Sequence, residues 1–283
     1  MIRHVVWSVV IANAACASRT SSSPDANQVA TDAGGGSVDA SVGAALPRLA
    51  FEVSFALDDY CPRQTVPEPL VAWQQELIDR IPTYRAALVA ELPSIQAAWD
   101  DAAADLLAAT VRGGGHEFRR AELPVALFLC PRLPSMGTPL AVNVISYLEA
   151  AVPDIPTLVD LDGDGDRDPL PRFLLVAITY HELLHKYLND VSDLSSSPIV
   201  DALPASLTGD LADRDLVLMK AHLHLFALRR WVYEDLDLDD QVPYIEAIEK
   251  AHGPGYRRAW ELVHERDDLY QPLLDEIRAS RAE

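Results

Sequence analysis

A helix-rich α+β fold is the class this sequence predicts, and three observations carry it. Ala and Leu are abundant, while only 7% of residues are aromatic and 13 are glycine, a balance that favours helices over a β-sandwich. Stretches with the two-residue alternation of strands fall in the first half of the 283-residue chain, and long helical stretches fill the second. A doubly wound sheet would instead alternate strands and helices along its whole length. With 49% hydrophobic residues, the chain has apolar material for one large domain or two small ones.

The N-terminal residues MIRHVVWSVVIANAACAS read as an export signal over 1–17. Arg3 supplies a positive start, a short apolar core follows, and small residues close it. The run is too short for a permanent membrane span. Cys16, after Asn13, Ala14 and Ala15, resembles the acylated cysteine of bacterial lipoproteins, although Asn13 stands where that pattern favours an aliphatic residue. Cleavage in the Ala-rich stretch, releasing a soluble protein, is the alternative. Either route implies an exported bacterial protein, in the cell envelope or secreted, that meets a membrane only through such an N-terminal lipid. Residues 18–46 are Ser-, Gly-, Ala- and Asp-rich. They bury too little apolar surface to fold and read as a disordered linker. The folded domain is expected over 47–283.

Within that domain RLAFEVSFAL, 48–57, alternates Phe51, Val53 and Phe55 as a strand does. Residues 67–111 read as two or three helices with breaks near Pro82 and Pro93. AELPVALFLC, 121–130, and PLAVNVISYL, 139–148, are further strand candidates. Cys61 and Cys130 are the cysteines left beyond the signal. A pair in an exported chain predicts one disulfide; two separate buried thiols are the alternative. DLDGDGDRD then places Asp160, Asp162, Asp164, Asp166 and Asp168 in alternation, with Gly165 sixth. That is the register of a calcium loop, but the twelfth position is Pro171 rather than Glu, which excludes a full EF-hand. A looser Ca2+ site and a plain solvated turn are both compatible with this loop.

Helices are expected over 170–190, 212–236 and 254–279, with a shorter one over 242–251. The first has Asp168 as a cap, Pro169 and Pro171 in its first turn, and no breaker in FLLVAITYHELLHKYL. Leu174, Ile178, His181, His185 and Leu188 recur at helical spacing and form one stripe. Residues four apart stand one above the other, so the imidazoles of His181 and His185 reach one ion. Zinc accepts nitrogen ligands tetrahedrally, and a catalytic site holds three protein ligands and one water. Glu182, one residue round from His181, is placed to take that water's proton.

The stretch ITYHELLHKY resembles the signature of the zincin metallopeptidases, HExxH: Ile178, Thr179, then His181, Glu182, Leu183, Leu184 and His185, with Lys186 where the pattern favours an uncharged residue. The resemblance implies a zincin-like domain, Zn2+ held by His181 and His185, Glu182 as general base, and a peptide or protein as substrate. The longer HExxHxxGxxH form is absent. The layout is therefore gluzincin-like, with a third ligand from a later helix.

Candidates for that ligand lie in LVLMKAHLHLFALRRWVYEDL, 216–236. Val217, Ala221, Leu225, Leu228 and Val232 share an apolar side, and His222 and His224 flank it on opposite edges, so at most one faces the zinc. His224 ranks first because Ala221 and Ala227 permit a close helix approach. His222, crowded by Met219 and Phe226, ranks second. Glu234, on the polar side with Lys220 and Arg230, ranks third. Tyr233 and the unused histidine are candidates to stabilise an oxyanion, and 122–130 is a candidate strand for edge pairing with an extended peptide.

A net charge of -20 repels phosphate backbones and sets nucleic-acid binding aside. Two other functions fit parts of the pattern. Di-iron carboxylate bundles use Glu-x-x-His pairs, and the chain has Glu182/His185, Glu249/His252 and Glu261/His264. A non-enzymatic surface lipoprotein stabilised by metal is the other.

Overall fold

The computed structural model describes residues 46–60, 72–130, 135–145, 171–191, 194 and 197–280. Four strands are present: β1 (Arg48–Val53), β2 (Glu122–Phe128), β3 (Met136–Gly137) and β4 (Leu140–Asn143). Around them lie α1 (Phe55–Tyr60), α2 (Ala72–Gly114), α3 (Phe173–Val191), α4 (Pro198–Asp201) and α5 (Ala205–Thr208). The chain ends in α6 (Asp213–Asp235), α7 (Val242–Ala251), α8 (Pro254–Glu265) and α9 (Asp267–Ala279). The fold is α+β, with the small sheet in the N-terminal half and the long helices after it. Among the described residues no helix is long and apolar enough to cross a membrane.

The sheet runs β1-β2-β4-β3. β1, β2 and β4 are parallel, with Phe51 opposite Val125 and Leu127 opposite Val142, and β3 is antiparallel to β4. Parallel neighbours need a long crossover, which α2 supplies between β1 and β2. β2 is an interior strand, buried on one face along its length and on the other only at Phe128, with Pro124 exposed and Ala126 half-buried. Leu123, Val125 and Leu127 enter the main core. Phe128, on the other face, packs with Cys130 and Ala141 under Leu57 of α1. Phe55 lies half exposed in α1 rather than extending the strand.

The breaks expected at Pro82 and Pro93 do not occur, because α2 runs through both. Both rings lie on the exposed side, where water bonds the carbonyls they release. The helix ends at a run of glycines. Gly115 has φ 75° and closes the last turn through its N–H to Val111 O at 2.8 Å. A Cβ on Gly113 would run into the Trp231 ring, and one on Gly114 would lie 2.5 Å from the Tyr187 hydroxyl. Their bareness lets α2 dock against α6 and α3.

α3 is central rather than amphipathic. Thirteen of its 19 residues are buried, so it is enclosed on nearly every side instead of along one stripe. Two hydroxyls bolt it to α2 and to the residues that follow that helix. Tyr180 bonds Thr110 Oγ1 at 2.7 Å, and Tyr187 donates to His116 O at 2.8 Å. Tyr180, Leu183, Leu184 and Tyr187 are 0–1% exposed, and truncating such a side chain costs about 2–5 kcal/mol. The expected helix 254–279 is two helices, because Arg266 (φ -127°, ψ 86°) leaves helical geometry and its guanidinium pairs with Asp268 at the start of α9.

Candidate metal centre

His181 and His185 project from α3 and His222 from α6, and one ligand atom of each lies within 4.8 Å of the others. Ring centroids are 5.0, 5.5 and 4.9 Å apart, close to an equilateral triangle. His185 Nε2 and His222 Nε2 stand 3.2 Å apart. A tetrahedral zinc with Zn–N bonds of about 2.0–2.1 Å sets its nitrogens roughly 3.3 Å apart, so this pair already has the required spacing.

Hydrogen bonds fix which nitrogens are free. His222 Nδ1–H donates to Leu218 O at 2.7 Å, one turn back on α6. His181 Nδ1 lies 3.0 Å from Glu249 Oε1 and 3.1 Å from Arg229 Nη1. The guanidinium only donates, and its Nη1 is given to Glu249, so the ring proton sits on Nδ1 and is donated to the carboxylate. Both rings then offer a bare Nε2, the donor a divalent cation takes. Burial and then the neighbouring His222 hold His185 well below its ordinary value; burial and then His181 hold His222 down at about 3. Burial also lowers His181, against the pull of Glu249. All three imidazoles are neutral near pH 7, as ligation demands. Three neutral imidazoles suit a divalent transition-metal cation, zinc among them.

Glu182 is 6% exposed, and its carboxyl makes no hydrogen bond among the described residues. Burial, with Glu249 adding to it, lifts its carboxyl to about 8. A divalent cation nearby lowers such a carboxyl again, so its capacity to act as a base is tied to the metal. Glu249 behaves oppositely. Against burial, which raises it, Arg229 and then His181 hold it well below the usual carboxylate range. Arg229 Nη1 donates to Glu249 Oε1 at 2.5 Å, with Arg229 3% and Glu249 3% exposed. The guanidinium lies over the rings of Phe226 and Trp260 at 4.6 and 5.2 Å. Glu249 thus orients His181 while Arg229 cancels its charge.

The first-ranked third ligand, His224, is not at this site. Its Nε2 is 2.7 Å from Glu276 Oε2, which also accepts from Ser197 Oγ at 2.6 Å. Two residues along a helix turn a side chain about 200°, so His222 faces α3 and His224 faces α9. Glu234 lies outside the cluster and accepts from Arg230 and from Tyr270 Oη. Tyr233 is buried, its ring stacked on Tyr180 at 6.4 Å. Half-buried Tyr256 and His252 border the cluster instead. Tyr256 is 4.1 Å from the His222 ring and 5.2 Å from that of His252.

β2 cannot pair with a peptide, because β1 and β4 occupy both its sides. The sheet edge beside the histidines is β3. A Cβ on Gly137 would meet His185 Cβ at 2.6 Å and Glu182 O at 3.0 Å, so glycine lets this edge lie directly on the ligand-bearing turn. Of the di-iron pairs, Glu261 bonds Arg258 and His264 stacks on Trp260 at 3.9 Å, which leaves that set incomplete. Cys130 is disulfide-bonded. Cys16, Cys61 and the loop of Asp160, Asp162, Asp164, Asp166 and Asp168 lie outside the described residues, as do the export signal and nearly all of the linker.

Sequence reasoning missed Arg229 as part of this centre and weighed Glu249 only as an iron ligand. A signal for Arg229 existed: it falls seven residues after His222, with Phe226 between, on one face of α6. Comparison with known proteins returns no matching family model, no matching curated protein and no matching solved structure.

Proposed function

We propose that the chain is a zinc-dependent hydrolase of peptide bonds, acting in or beyond the bacterial cell envelope. One observation carries this reading: three neutral imidazoles converge from α3 and α6, with the carboxyl of Glu182, which makes no hydrogen bond among the described residues, in the turn between two of them. When bound there, zinc supplies Lewis-acid polarisation of a carbonyl and acidifies water. Three uncharged ligands leave the whole dication charge available for that work.

The protein groups divide the remaining tasks. Glu182 accepts a proton from the attacking water and delivers it to the leaving amine. Glu249 holds His181 in the tautomer that keeps Nε2 free. Tyr256, half-buried beside His222, is the side chain assigned to the carbonyl oxygen as charge develops on it, whereas His252 donates its Nδ1 proton to Ile248 O at 2.7 Å. The β3 edge offers backbone groups to an extended peptide. A Ca2+ ion in the Asp160–Asp168 loop, just before α3, belongs to this proposal as a structural cofactor.

A second reading is supported by the near-complete enclosure of His181, Glu182 and His222, at 4%, 6% and 3% exposure. It makes the metal a structural staple of a non-enzymatic surface protein. Glu182→Gln separates the two. The proposal expects zinc content unchanged and hydrolysis of a denatured protein substrate reduced about 10²–10⁴-fold. Wild-type protein with zinc but no hydrolysis, or a variant as active as wild type, overturns the peptidase mechanism.

A further inference from the structure

The sheet order leaves β1 at an edge, with a strand neighbour only on its β2 side among the described residues. Arg48 N and Ser54 N donate to Ala121 O and Leu127 O, so the even-numbered residues turn their backbone groups towards β2. Backbone direction alternates along a strand, and Leu49 and Phe51 therefore turn theirs outward. Such an edge is a template for pairing with another chain. Two common deterrents are missing, because RLAFEV has no proline and its register with β2 has no bulge.

One side chain occupies that edge. Gln96 of α2 accepts from Phe51 N through Oε1 at 3.3 Å and donates from Nε2 to Leu49 O at 3.0 Å. Its other Nε2 proton goes to Asp100 Oδ1 at 2.8 Å, one helical turn on, so three partners fix which way the amide faces. A primary amide presents a donor and an acceptor side by side, as a strand backbone does. Gln96 thus bonds the two groups that a neighbouring strand would take.

The strand that fits there is β1 of a second copy. In an antiparallel ladder, facing residues exchange both N–H···O bonds. Two β1 strands paired about Ala50 set Leu49 O of each chain against Phe51 N of the other, the same two groups that Gln96 holds. Leu49 then meets Phe51 on the core face. On the opposite face Arg48, Ala50 and Glu52 are exposed, and Arg48 of each chain meets Glu52 of the other, an attractive cross-strand pair. Residues 18–46 supply no rival strand, because Ser, Gly, Ala and Asp are poor strand formers.

We propose that the β1 edge is a self-association surface for a second copy of this chain, held shut by the Gln96 amide in place of a strand. This edge lies at the other end of the sheet from β3. The inference is independent of the metal reading and stands whether or not zinc binds.

Sedimentation velocity on the full-length protein, at low salt and several concentrations, tests it. Gln96→Ala keeps a strong helix former and frees both backbone groups, with circular dichroism checking the fold. Gln96→Glu, whose carboxylate repels Leu49 O, replaces it should the alanine variant not fold. The variant is expected to dimerise at least about tenfold more tightly than wild type, the worth of the backbone hydrogen bonds set free. Adding Glu52→Arg sets two arginines face to face and should return it towards monomer. Adding Arg48→Glu as well restores opposite charges and should bring the dimer back. A folded Gln96 variant that associates no more than wild type overturns the guard, and association indifferent to Glu52→Arg overturns the pairing.

Discussion

Replacing Glu249 by glutamine isolates the buried charge pair behind the metal helix. The carboxylate accepts from Arg229 Nη1 at 2.5 Å and from His181 Nδ1 at 3.0 Å, and all three side chains are at most 5% exposed. Glutamine keeps the shape and an acceptor oxygen but leaves the Arg229 guanidinium buried without a counter-charge. Breaking a buried pair in this way costs about 3–5 kcal/mol, a large part of the roughly 5–15 kcal/mol that holds a domain together. The weaker acceptor also orients His181 less firmly, which lowers metal affinity about 10–100-fold. Urea denaturation in EDTA reads the first effect, and competition with a chromophoric chelator reads the second. The double variant Arg229→Met with Glu249→Gln removes both charges, so it recovers most of the stability and little of the affinity. A stability change under about 1 kcal/mol in Glu249→Gln, with affinity unchanged, refutes the reasoning.

Two further outcomes follow from particular contacts. Gly137→Ala drives a Cβ to 2.6 Å from His185 Cβ; overpacking of this kind costs about 1–3 kcal/mol, and here it should also weaken zinc binding, measurable in the same two assays. His264 is pushed down to about 3 by burial and then by Arg229, Arg230 and Lys250. Between pH 6.5 and 3 the unfolded chain therefore binds a proton there that the folded chain does not. Stability from this group is complete above about pH 6.5 and is lost as pH falls, by at most about 1.4 kcal/mol per pH unit. Denaturation at several pH values in EDTA should show a shallower acid slope for His264→Gln than for wild type, and equal slopes refute the assignment.

How far these features were legible in the sequence depends on whether they are local. The α3 helix and the placement of His181, Glu182 and His185 follow from spacing within one turn, and the structure keeps them. Choosing between His222 and His224 needed the rotation of α6 about its own axis. That helix buries Met219, Leu223, Leu225, Phe226, Ala227 and Leu228 on several sides, so no single apolar stripe oriented it. Small neighbours at Ala221 and Ala227 favoured His224, whereas long-range packing on α3 turned His222 inward. The uninterrupted α2 was hidden because proline cost depends on whether the released carbonyls meet water. The Arg229–Glu249 pair spans two helices and the turn between them, beyond the reach of any local pattern.

Counting bound zinc per chain by plasma emission, in wild type, His222→Ala and His224→Ala, tests the metal centre most directly. Each protein is first equilibrated against the same free zinc, with circular dichroism confirming the fold. One zinc per chain is predicted for wild type and for His224→Ala, and a loss for His222→Ala. Wild type without stoichiometric zinc, or His222→Ala retaining it at wild-type affinity, would contradict the three-histidine site.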